Sequence, residues 1–113
     1  NSDTPRPPCP PAPWYVDPNS SFVVPSSDED DVIQALAETL RRFECCFAFE
    51  IHSTRFAVKD ANFHAQIMIF LHGPDSMLVE FQRRSGSVTS FFEFFHQTLR
   101  IWQSSGRQLQ TLS

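Results

Sequence analysis

The residues with the most chemistry in them are three cysteines and four histidines: Cys9, Cys45, Cys46, His52, His64, His72 and His96. A thiolate nucleophile needs a neighbouring base to lower its pKa, and Cys45 has Glu44 beside it instead. Cys45 therefore reads as a small buried hydrophobe. A structural zinc needs ligands spaced as in C-x-x-C, a spacing absent here. Cys45 and Cys46 are adjacent, so on a strand they point to opposite faces and cannot pair without strain. That leaves reduced thiols, the state expected of an intracellular protein, cytoplasmic or nuclear. Glu38 and Glu44 fall on different faces of a helix, unlike a catalytic carboxylate pair. Three glycines are too few for a phosphate-cradling loop, and neither G-x-S-x-G nor H-E-x-x-H occurs. The expectation is a chain that is not itself an enzyme, with no catalytic residues, no metal, no cofactor and no small-molecule substrate.

Recognition chemistry is better represented. Residues 83–99 read RRSGSVTSFFEFFHQTL, where four phenylalanines surround Glu93 just behind a pair of arginines. The chain holds 12 phenylalanines among 113 residues, a heavy use of one bulky ring and more than one helix face can bury. The length suits one domain, and no run approaches the roughly 20 apolar residues that span a bilayer. The start, NSDTPRPPCPPAPW, has neither a basic nor an apolar stretch and so does not read as a signal peptide. The missing initiator Met suggests part of something longer.

Charge is unevenly spread. Residues 1–30 carry five acids against Arg6, whereas residues 31–113 carry eight acids and eight bases. The second stretch has no overall field to attract nucleic acid or anionic lipid, although local basic patches remain. Nucleic-acid binding does not fit, since the aromatic RNP signature is also missing.

Residues 1–25 contain eight of the nine prolines and read as a polyproline-leaning linker. Within it Trp14-Tyr15-Val16 and Phe22-Val23-Val24 form two apolar islands. They either fold back onto the domain as anchors or serve as a short motif for a partner. Ser26 followed three residues later by Glu29 is a capping box. Behind it Val32, Ile33, Leu36, Leu40 and Phe43 recur at helical spacing, predicting a helix over 28–43. The period then drops to two. Phe47, Phe49 and Ile51 alternate with polar or small residues in a first strand, and Phe56 and Val58 do so in a second. Phe63 to Leu71 forms a third and Met77 to Arg84 a fourth, across a turn at His72-Gly73-Pro74-Asp75. Ser87 or Ser90 caps a last helix from Val88 to Gln103, and residues 104–113 read as a polar tail. The fold class is α+β: helix, four-stranded antiparallel meander, helix, with both helices on one face of the sheet.

This order over residues 28–103, and RRSGSVTSFFEFFHQTL in particular, resembles the kinase-associated C-terminal domain. That module ends AMP-activated-kinase relatives, MARK-type kinases and the plant kinases that answer calcineurin-B-like sensors. Arg83 and Arg84 match the basic strand end and Gly86 the turn glycine. Ser87 stands where Asp is usual. Phe91, Phe94, Phe95 and Leu99 match the buried helix positions, and DVIQALAETLRRF resembles the first helix. The resemblance implies a non-catalytic regulatory domain, the C-terminal part of a Ser/Thr protein kinase. Such a domain acts by autoinhibition of its own kinase domain or by docking a regulatory subunit or other partner.

On the last helix, Phe91, Phe94, Phe95, Thr98 and Trp102 make one stripe suited to the core. Phe92 lies off it, in a position commonly charged or polar in the related kinases. With Leu99 and Phe95 as neighbours it makes an apolar partner patch, or else covers the linker's Trp14 or Phe22. The expected partner contacts are Phe92, Phe95, Leu99 and Trp102, with Trp14 and Tyr15 from the linker. Arg83 and Arg84 read as a solvated strand end. Alternatively, with Arg55, Lys59 and Arg41-Arg42, they contact an anionic lipid or acidic partner, as the resemblance implies for some members. A membrane-targeting module and an assembly subunit without kinase activity are the competing readings.

Overall fold

The computed structural model describes residues 18–26, 28–43, 45–106 and 109–111. A short 3-10 turn, Pro18–Ser20, leads into β1, Ser21–Val24. Then follow α1 (Glu29–Leu40), β2 (Cys46–Glu50), β3 (Arg55–Lys59), β4 (Phe63–Gly73), β5 (Ser76–Gly86), α2 (Val88–Ser104) and the two-residue β6 (Gln110–Thr111). The class is α+β, and every strand pairing is antiparallel.

The sheet has six strands in the order β2-β3-β4-β5-β1-β6. The expected meander corresponds to β2–β5. Two strands extend it, and both come from stretches that read as linker or tail. β1 lies along β5, with Phe22 opposite Val79 and Val24 opposite Met77, so the domain begins before residue 26. The tail returns at β6, where Val23 faces Gln110. Of the two readings of Phe22-Val23-Val24, the structure shows the one that folds back. Ile51 leaves β2 for the following turn and is exposed.

The core follows from strand parity. Phe22 and Val24, Phe56 and Val58, the odd positions of β4 from Phe63 to Ile69, and Met77, Val79 and Phe81 share one cluster with both helices. Alternate side chains share a sheet face, so both helices sit over the same side. α1 contributes Val32, Leu36 and Leu40, and α2 contributes Phe91, Phe94, Phe95, Leu99 and Trp102. Each such side chain taken fully out of water is worth about 1.5–3 kcal/mol.

Helix ends are set by caps. Asp28, rather than Ser26, is the N-cap of α1, its carboxylate accepting from the Asp31 N–H at 3.2 Å. Ser26 sits one step back, its hydroxyl accepting the Asp28 N–H at 3.1 Å. The cap leads into a first turn of Glu29, Asp30 and Asp31, where acidic side chains meet the positive helix terminus. The helix closes earlier than its periodicity suggests, through tight bonds from Arg42 to Thr39 and Phe43 to Leu40. Ser87 caps α2, accepting from the Ser90 N–H at 3.1 Å. No helix among the described residues is long and apolar enough to cross a membrane.

Candidate functional site

The rings of α2 divide by depth. Phe95 lies against Phe81 and Phe22, with ring centroids 5.1 and 6.1 Å away. Trp102 meets Phe22 edge-on at 5.4 Å. Leu99 is buried beside them. These three residues were expected to offer partner surface, and the structure corrects that: β1 slots Phe22 beneath α2, and the helix closes over it. Trp14 and Tyr15 lie outside the described residues.

Phe92 is half-buried. Its ring packs edge-on against Phe91 at 5.2 Å and roughly parallel to His96 at 6.3 Å. It lines a groove of about 340 Å³ between the first turns of α2 and β5, together with Val88, Phe91, Glu80 and Arg83. Val88 is 50% exposed, so the groove carries a wet apolar lip. Arg83 is held at its end by donating from Nη1 to the Gly86 carbonyl at 3.0 Å. Apolar lip, half-covered ring and fixed guanidinium make a site suited to an apolar side chain flanked by an acceptor.

Of the expected basic contacts, Arg55, Lys59 and Arg84 border one cavity and Arg83 lies apart from them. A bulge between His64 and Ala65 leaves Arg84 without an opposite residue on β4. The two arginines are then shared between different sites: Arg83 borders the groove of α2, and Arg84 lines a cavity on the helix-free face. That cavity, of about 460 Å³, has Ala48 and Ala57 in its floor and Lys59, His64 and Arg84 among its walls. Arg55 borders the same cavity, with its guanidinium engaged by neighbours. Its Nη2 lies 2.9 Å from Glu50 Oε1 in an ion pair, and its Nη1 donates to Gln66 Oε1 at 3.1 Å. Gln66 in turn donates to Gln82, and Gln82 to Glu80 Oε1. Side chains from β2, β3, β4 and β5 thus link into a polar ladder across the helix-free face. On one side of it lies the Ala48–Ala57 floor, and on the other a small apolar cluster of Val23, Phe70 and Leu78 with Met68 against it. In the sequence only the alternation that places Arg55, Gln66 and Gln82 outward from the core pointed to this ladder.

Cys45 is partly buried, with its thiol 3.8 Å from the Leu40 carbonyl. Burial, then the negative charges of Asp60 and Cys46, push its pKa above the ordinary thiol value. A nucleophile requires the opposite shift. Among the described residues no three His, Cys, Asp or Glu side chains converge as metal ligands would. No family model matches the chain, and no curated protein is significantly similar to it.

Proposed function

We propose that this is a non-catalytic regulatory domain that docks a protein partner, of the kind that ends Ser/Thr protein kinases. The partner is the kinase's own catalytic domain, held in autoinhibition, or a regulatory subunit. The observation that carries the reading is Phe92, a half-buried ring at the mouth of an apolar groove beside α2. Its support in the fold is the run α1, β2–β5, α2, the order expected of the kinase-associated domain, here with β1 before it and β6 after it. Affinity capture from lysate with this chain and its Phe92→Glu variant tests it, once circular dichroism shows both folded alike. The expected catch is a Ser/Thr kinase catalytic domain or its regulatory subunit, held by the first and lost by the second. Equal capture by both would remove Phe92 from the interface.

One observation favours a second reading, an anionic-phospholipid surface. Lys59, His64 and Arg84 border the same cavity on the helix-free face. Each base near an anionic surface contributes about 1 kcal/mol, so binding to phosphatidylserine vesicles through them would be weak and lost at high salt. Docking at Phe92 would persist there.

A further inference from the structure

The two edges of the sheet differ in kind. One ends in β6, only two residues long, and so short a strand offers little template for another chain. The other ends in β2, Cys-Phe-Ala-Phe-Glu, which pairs in unbroken register with β3 along all five residues. Among the described residues nothing pairs with its outer side. Exposed edges are ordinarily protected by Lys, Pro, a bulge or a covering element. Within β2 there is no Lys, Pro or bulge, and its one charge, Glu50, stands at the end of the strand.

We infer that β2 is a self-association edge, along which two copies of this chain pair antiparallel about a two-fold axis through Ala48. The composition of the strand is complementary to itself in that register. Ala48 meets Ala48 of the second copy, and each Phe47 meets a Phe49. Phe47 and Phe49 are only half-buried and point to the helix side, where they pack on the margin of the core. Their rings already lie near Phe56, at 6.1 and 4.9 Å between centroids. Pairing would continue that aromatic row across the two-fold, and cross-strand aromatic pairs stabilise a sheet.

Charge agrees on the opposite face. Cys46, Ala48 and Glu50 are exposed there, and Cys46 lies beside Lys59 of β3. In this register Glu50 of one copy falls opposite Cys46 of the other. It is then about 9–10 Å, two strand spacings, from that copy's Lys59. The small Cys46 lets the two long side chains approach over it, and symmetry repeats the pair. No like charges face each other, and residues 31–113 carry as many acids as bases, so no net repulsion opposes the approach. A two-fold normal to the sheet keeps all four helices on one side, and the contact closes on itself instead of growing.

Sedimentation of the 113-residue chain over a concentration series tests this, beside Ala48→Lys, Ala48→Glu and an equimolar mixture of the two. Ala48 is exposed and faces away from the helices, so both variants keep the fold, as circular dichroism would verify. The expected result is wild-type protein moving to twice 13.0 kDa as concentration rises. Each variant alone stays monomeric, because like charges meet at the two-fold, and the mixture dimerises again as opposite charges meet there. A wild-type chain that remains monomeric throughout overturns the inference. So does an Ala48→Lys protein that dimerises as wild type does, or a mixture that fails to recover.

Discussion

The indole nitrogen of Trp102 donates to Thr39 Oγ1 at 2.8 Å, joining the last turns of the two helices across 63 residues of sequence. Both residues are buried. The Thr39 hydroxyl donates in turn to the Ala35 carbonyl at 2.8 Å, so one hydroxyl serves as acceptor and donor. Replacing it with the near-isosteric Thr39→Val would remove the acceptor of this buried bond, at a cost of about 1–3 kcal/mol. Thr39→Ser, which restores the oxygen, should recover most of that loss. Urea denaturation of the three proteins measures it, and equal midpoints for valine and threonine would show that the bond contributes nothing.

Phe22 carries a larger expectation. Its side chain has 0% exposure and touches the rings of Phe81, Phe95 and Trp102. Phe22→Ala should therefore cost about 3–5 kcal/mol, the range for emptying a buried aromatic site. Thermal unfolding would register this as a clear drop in Tm. A change within experimental error would mean that β1 separates from the sheet without loss of the core.

Those two residues also mark where the sequence was readable and where it was not. α1, β2–β5 and α2 announce themselves through periods of 3.6 and 2, because each lays one continuous face on the core. β1 has only four residues among prolines, too few to show a period, and it earns its place through a pairing with β5 more than 50 residues away. β6 is shorter still. The stripe of α2 was visible, but depth within it was not: Phe95, Leu99 and Trp102 are buried because Phe22 and α1 meet them, and no local pattern records that. Phe92 kept its half-exposed position because it stands off the stripe. The division of Arg83 from Arg84 turns on a bulge, a single unpaired residue that composition cannot locate.

Gly86, where β5 turns into α2, has a backbone that admits little change. Its φ is +95°, and a Cβ there would strike the Asn62 carbonyl oxygen and come within 2.5 Å of Phe63 Cα. The neighbouring Ser87 N–H donates to that same carbonyl at 2.8 Å, so the turn cannot yield without losing the bond beside the α2 cap. Gly86→Ala should cost more than about 2 kcal/mol, from left-handed strain together with the clash. Gly106, at φ +89° but with nothing near its Cβ position, provides the control. Alanine there should cost only the strain, about 1–2 kcal/mol, and similar losses at both sites would show that the Asn62 contact does not matter.

Cys45 and Cys46, adjacent in sequence, should separate in their reactivity. Cys46 is exposed, whereas Cys45 is partly covered and bonded toward Leu40. The folded environment raises the Cys45 pKa, first by burial and then by Asp60 and Cys46. Its thiolate therefore forms at higher pH in the folded chain than in the unfolded one. The sign follows for stability: the preference for the neutral thiol is fully present below the ordinary thiol pKa. It is lost as pH rises from there through the raised value. Iodoacetamide labelling read by peptide mass should find Cys46 modified first, with Cys45 catching up only at more alkaline pH or in denaturant. Cys45 reacting first at neutral pH would mean a thiolate held by some neighbouring cation, and would reopen a nucleophilic role for it.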